Sequence, residues 1–192
     1  MTPSISFQCS IARTAAAITI TYTIKNDCPH ALGVFNKLRS IAVDGALDFS
    51  PNNVYVELEG ETLRFLKQAL PIPPGLTMAA YVPPYASLLE KGKSLTETFS
   101  VPIPVLARHP FKRVLLSGEV VPIEPRTAGK LEVTIGVFPL VGCHLAAEHP
   151  AFPDVRTAAP PDPAVTGQEL LSAAFALTPN VDVLDYKGFP WK

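Results

Sequence analysis

The densest run of groups able to do chemistry is Cys143-His144-Leu145-Ala146-Ala147-Glu148-His149. A thiol, two imidazoles and a carboxylate are the ligand and general-base types of a hydrolytic zinc centre. The inverted zinc-protease pattern H-x-x-E-H sets its histidines four apart, on one face of a helix. Here His144 and His149 are five apart. On a helix that spacing turns them about 140° from each other, and Pro150 follows at once. Only a loop could gather His144, Glu148 and His149 round one ion, with His109 or His30 as a further ligand. A metal-dependent hydrolase using these three residues is therefore an alternative expectation. Loop histidines without a ligand role are the plainer one, and no metal or cofactor is assigned.

Other chemistry-bearing stretches are weaker. Gly92-Lys93-Ser94 has the end of a phosphate-binding loop, but that loop needs a glycine where Ser87 stands and a helix where a strand pattern follows. The run reads as a turn. Arg108-His109-Pro110-Phe111-Lys112-Arg113 is the densest basic cluster and could meet a phosphate or an acidic surface. Its plainer reading is a solvated loop leading into an edge strand, where charge blocks unwanted pairing. No G-x-S-x-G elbow and no recognised grouping of serine, histidine and acid occurs, so no catalytic residue is assigned. The prolines from Leu70 to Tyr85 stiffen an apolar stretch holding Tyr81 and Tyr85. A stiff segment loses little entropy on binding, which makes it a candidate contact surface or a loop presented to a protease. Phe175, Tyr186, Phe189 and Trp191 are further interaction candidates, since aromatic side chains anchor interfaces.

The elements that must position these residues are strands. Proline accounts for 21 of 192 residues; it breaks helix interiors and central strands alike, which implies many short segments joined by turns. Ile5, Phe7, Cys9 and Ile11 alternate with polar residues, as do Ile18, Ile20, Tyr22 and Ile24. Such two-residue periodicity predicts half-buried strands. Leu32–Leu38 reads as a strand. Val54–Leu58 and Leu63–Leu66 read as a hairpin about Glu59-Gly60-Glu61. Leu76–Val82 and Val114–Val121 read as strands, and Leu88–Lys93 as a loop. Leu95, Phe99 and Val101 share one strand face, and Leu131–Val137 alternates again. No long helical period interrupts the series, which argues against a βαβ architecture.

Ile18-Thr19-Ile20-Thr21-Tyr22-Thr23-Ile24-Lys25-Asn26 and Leu89-Glu90-Lys91-Gly92-Lys93-Ser94 resemble the strand-then-turn and loop-then-late-strand pieces of bacterial immunoglobulin-like modules. The resemblance spans residues 4–139 and implies an antiparallel immunoglobulin-like sandwich, without implying an active site. The paired cysteines and core tryptophan of antibody domains are missing; Trp191 stands in the tail.

The expected organisation is a mainly β sandwich over residues 1–140 and an extended proline-rich strap over 141–192. The strap packs on the sandwich or on a partner. Within it, Thr166-Gly167-Gln168-Glu169 has capping-box spacing and predicts a short helix to about Leu177, with a strand over Ala173–Val183 as the alternative. Three cysteines cannot all pair within one chain and fit reduced thiols. A net charge of −1 gives no footprint for nucleic acid or an anionic membrane. No signal peptide or membrane span is read, so a cytoplasmic location is expected. The leading expectation is a non-enzymatic binding or assembly module acting through a protein partner or as a homo-oligomer. The alternatives are the hydrolase above and a protease inhibitor presenting a proline-rigidified loop.

Overall fold

Threonine alternating with isoleucine and tyrosine makes Ala17–Asn26 a strand whose inner face, Ile18, Ile20, Tyr22 and Ile24, is wholly buried. The computed structural model describes residues 4–41, 45–72, 84–111, 122–141, 144–149, 152–159 and 167–186. In chain order its strands are β1 Ile5–Arg13, β2 Ala17–Asn26, β3 Leu32–Lys37, β4 Ser40–Ile41, β5 Leu47–Asp48, β6 Tyr55–Glu59 and β7 Thr62–Lys67. They continue with β8 Tyr85–Leu89, β9 Ser94–Pro102, β10 Val105–Leu106, β11 Ile123–Pro139, β12 His144–His149, β13 Phe152–Ala159 and β14 Glu169–Tyr186. Among the described residues there is no helix, and so none long and apolar enough to cross a membrane.

A three-stranded antiparallel sheet, β1-β2-β9, faces a larger mixed sheet. The larger sheet runs β10-β14-β11-β3-β8-β13-β12, with β7 parallel beside β11 and β6 hairpinned onto β7. The main core lies between them. Ile18, Ile20, Ile24, Phe99 and Val101 come from the small sheet; Val34, Phe65, Leu131, Val133 and Ile135 come from the large one. Strand β11 is flanked by β14 on one edge and by β7 and β3 on the other. From Val133 to Phe138 it is buried on both faces, Val133, Ile135 and Val137 in the main core and Phe138 in a second cluster. That second cluster, Phe35, Ala69, Ala86 and Phe138, fills the far side of the large sheet. There Gly33 lies against the Phe138 ring, and a Cβ on it would stand 2.2 Å from the ring's Cζ.

Several expectations change. The helix after Thr166 is a strand. On β14 the odd-numbered Leu171, Leu177, Val181 and Val183 turn inward, while Leu170 is exposed. The period is two because β11 offers a full-length antiparallel partner, from Val137↔Glu169 to Ile123↔Tyr186. Gln168 does not cap a helix. Its amide pairs instead with the backbone of Ala69, accepting from N–H at 3.2 Å and donating to C=O at 2.7 Å. The 169–186 part of the stretch read as a strap is thus a ladder partner that supplies core residues. The loop read over Leu88–Lys93 shrinks to its second half, because Leu88 and Leu89 pair with Gly33 and Leu32 of β3. The strands expected at Leu76–Val82 and Val114–Val121 lie outside the described residues.

A cleft beside a buried ion pair as the candidate functional site

Strand β7 places Leu63, Phe65 and Lys67 on its inner face, and β9 places Leu95, Glu97, Phe99 and Val101 on its own. Two of these inward positions hold opposite charges. The Lys67 ammonium pairs with Glu97 Oε1. It also donates to the carbonyls of Pro51, at 2.7 Å, and Asn36, at 3.4 Å, and it stands 4.9 Å from the centre of the Phe99 ring. Glu97 Oε1 further accepts the Tyr22 hydroxyl at 2.8 Å, and Oε2 accepts the Asn36 amide at 3.1 Å. Lys67 has no exposed surface. Burial pushes its amine below the ordinary value, and the adjacent Glu97 charge partly offsets that. Burial, then the Glu97 carboxylate, pushes the Tyr22 hydroxyl well above its own.

An ammonium has three N–H donors and no acceptor, and all three of Lys67's are committed. The amine is a clamp between the two sheets rather than a presented nucleophile. Asn36 reaches the network through an irregularity of β3. The register with β8 shifts between Val34 and Lys37, and such bulges re-aim side chains. Its amide nitrogen is used by Glu97, and its Oδ1 has no partner among the described residues although the residue is only 2% exposed.

Asn36 and Glu97 also line a cleft of about 710 Å³ that opens between the two sheets. One wall is Lys93–Glu97 at the start of β9; the other is Lys37 of β3 with Ser87–Glu90 of β8 and the following turn, and Arg156 of β13. Strand β9 is the edge of the small sheet. The outward direction of its backbone follows from parity. The Lys93 carbonyl accepts from Asn26 and the Ile103 N–H donates to Ala16, both toward β2, whereas the Ser100 N–H points away and is taken by Asn52 Oδ1 at 2.8 Å. Ser94, Thr96 and Thr98 share the phase of Ser100, because N–H and C=O alternate sides along a strand. Their main-chain groups face outward with no backbone partner among the described residues, two of the three along the cleft.

The residues singled out by sequence are distributed elsewhere. Tyr85 is half-buried, edge-on to Phe49 at 5.0 Å. Phe175 packs on the main core from β14, and Tyr186 ends that strand opposite Ile123. They do not come together, and Tyr81, Phe189 and Trp191 lie outside the described residues. His144, Glu148 and His149 fall on β12, a strand paired with β13, rather than on a loop; the placement of their side chains lies outside what is described. Among the described residues no group of three or more His, Cys, Asp or Glu could hold a metal ion. The basic cluster is not wholly solvated: His109 is buried, donates from Nε2 to Glu57 Oε1 at 2.8 Å and accepts the Phe111 N–H on Nδ1 at 3.1 Å. The Gly92-Lys93-Ser94 turn is followed by β9, and Gly92 has φ +74°, the left-handed conformation that glycine adopts without strain. Glu97 and Lys67 carried their signal in the pattern itself, as charges standing in phase with apolar neighbours.

No protein-family model, curated protein or solved structure matches this chain.

Proposed function

We propose that the protein is a non-enzymatic binding module. It takes an extended segment of a partner protein along the outer edge of β9, in the cleft beside Glu97. The carrying observation is the outward main chain of Ser94 and Thr96, which has no backbone partner among the described residues and faces a cavity large enough for a peptide. An added strand gains main-chain hydrogen bonds from such an edge, and flanking pockets read its alternate side chains. The Lys67–Glu97 clamp holds the two cleft walls in place, so little ordering is needed on binding. The committed Lys67 amine supports the non-enzymatic side of the reading. An immunoglobulin-like identity for the sandwich belongs to the same proposal. Two facing sheets support it, while the free Cys9 and Cys28 leave it without the antibody-type disulfide.

Selection from a random peptide library displayed on phage tests the proposal. Thr96→Pro removes one outward donor and no ladder bond, which an edge strand tolerates. Enriched peptides are expected to bind the parent about fivefold more tightly than this variant, given roughly 1 kcal/mol for each main-chain bond. Methylating the peptide's backbone nitrogens one at a time should weaken binding at alternate positions only, and this readout does not depend on the variant's fold. The proposal is overturned if no peptide is enriched, or if methylation shows no alternation.

A further inference from the structure

We infer that β1 is an assembly edge, on which two copies of this chain pair antiparallel about a two-fold axis through Cys9. The inference is independent of the β9 reading, because such a pair leaves β9 at both ends of a sheet twice as wide.

Parity shows which main-chain groups β1 presents. The Asp27 N–H donates to the Ser4 carbonyl and the Thr14 N–H to that of Ala17, at the two ends of the β1–β2 ladder. The even-numbered residues of β1 therefore bond to β2, and Ile5, Phe7, Cys9, Ile11 and Arg13 direct their main chain outward. These five have no backbone partner among the described residues. The side chains of Ile5, Phe7, Cys9 and Ile11 lie against the main core, yet they are only partly buried. A strand added here gains hydrogen bonds and covers apolar surface together.

Folded proteins blunt open edges with proline, bulges or inward charge. Over its 9 residues β1 has no proline, and its register with β2 is unbroken from Ile5↔Asn26 to Arg13↔Ile18. Its one charge, Arg13, is tied back to the Pro179 and Asn180 carbonyls. By contrast, β6 meets the Arg108 main chain. Strand β9 has an inward Glu97, an Asn52 side chain on the Ser100 N–H and a final Pro102, so it offers a short stretch rather than its full length.

A second copy is the occupant that fits. With Cys9 on the axis the whole of β1 pairs. Phe7 then stands opposite the partner's Ile11 and Gln8 opposite the partner's Ser10, so apolar meets apolar and no like charges meet. Such a pairing forms about ten main-chain hydrogen bonds, the number a standard interface carries. An edge of about 30 Å covers on the order of 500 Å² on each copy, the size of a weak but specific association. The dimer therefore forms in the micromolar range.

Sedimentation equilibrium in the presence of reductant tests this. The parent is expected to pass from monomer to dimer across the micromolar range. Cys9→Pro removes one outward donor and no bond to β2, which an edge strand tolerates, and should stay monomeric. Thr96→Pro should dimerise like the parent. Gln8→Lys/Ser10→Lys sets like charges against each other across the axis, whereas Gln8→Lys/Ser10→Glu sets opposite ones. Their dimer constants should differ about tenfold at low salt, tighter for the second. Gln8 and Ser10 are exposed, so this comparison decides even where Cys9→Pro does not fold. The inference is overturned if the parent stays monomeric, if folded Cys9→Pro dimerises like the parent, if Thr96→Pro abolishes the dimer, or if the two charge variants dimerise equally.

Discussion

Strand β7 carries two cations that face opposite ways. Arg64 lies on the outer face in a row of directly opposed carboxylates, Glu57 on β6 and Glu132 on β11, with Glu59 also in reach. Its side chain keeps 31% of its exposure. Lys67, three residues on, points inward, and its side chain keeps none. Both meet acidic partners, yet the physical consequences differ. Water and salt screen Arg64's pairs, and such surface pairs are worth about 0–1 kcal/mol. Nothing screens Lys67, so removing either partner strands an uncompensated charge in the core. Burial therefore turns one ion pair into a structural requirement, while exposure leaves the other optional.

The sharpest way to break this contrast is Lys67→Met, which keeps the length of the side chain and leaves Glu97 alone. It is expected to destabilise by about 3–5 kcal/mol, as stranded buried charges do, read as a shift in the urea midpoint. Adding Glu97→Gln should recover most of the loss, because glutamine still accepts the Tyr22 hydroxyl and carries no charge. A Lys67→Met cost under about 1 kcal/mol would mean that water reaches the pair.

Tyr22→Phe comes next. It removes a neutral donor from a buried carboxylate, at about 2 kcal/mol for a bond to a charged group. It also carries a pH signature. The Tyr22 hydroxyl titrates above its ordinary 10.0 in the folded chain, so the unfolded chain gives up that proton first. Its contribution is complete below pH 10 and is lost as pH rises through the higher folded value. Lys67 acts in the opposite sense: its folded value lies below 10.5, so stability gains as pH climbs toward 10.5. In the parent the Tyr22 loss, joined by those of Cys9 and Tyr55, whose thiol and hydroxyl are also raised by burial, partly cancels the Lys67 gain near pH 10. The parent-minus-Tyr22→Phe difference in unfolding midpoint should stay constant below pH 10 and shrink above it, since the Lys67, Cys9 and Tyr55 slopes are common to both.

The sequence pattern made much of the fold legible. The phases of β1, β2, β9 and β11 and the β6–β7 hairpin follow from two-residue alternation, since each has one face on the core. β14 was ambiguous because Leu170, Leu171, Ala174 and Phe175 satisfy a helical stripe, while Leu171, Ala173, Phe175 and Leu177 satisfy an alternating one. Only its long-range partner β11 decides between them, and local spacing does not encode that pairing. The candidate site was legible only as an anomaly. Glu97 between Leu95 and Phe99, and Lys67 after Phe65, are charges on faces that ought to be apolar, and the two lie 30 positions apart. That β9 ends its sheet among the described residues was not legible at all, because which strand ends a sheet depends on the topology of the whole chain. The aromatic residues drew attention by cost of exposure, but those described are absorbed by packing.

The smallest expected effect tests the other half of the contrast. Arg64→Ala removes the cation that joins Glu57, Glu59 and Glu132 and leaves three carboxylates close together. Each is reached by solvent, however, and the repulsion is screened over about 8–10 Å at physiological ionic strength. The cost should be about 1 kcal/mol or less at low salt and should shrink further at high salt, whereas the Lys67→Met cost should hardly move with salt. Part of the Arg64 loss is the aliphatic stem leaving the sheet surface, and that part is independent of salt. Arg64→Met separates the two, since it restores the stem and not the charge. An Arg64→Ala penalty rivalling that of Lys67→Met, or one that persists undiminished in high salt and survives in Arg64→Met, would show that cross-strand position and not burial sets the strength of ion pairs in this sheet.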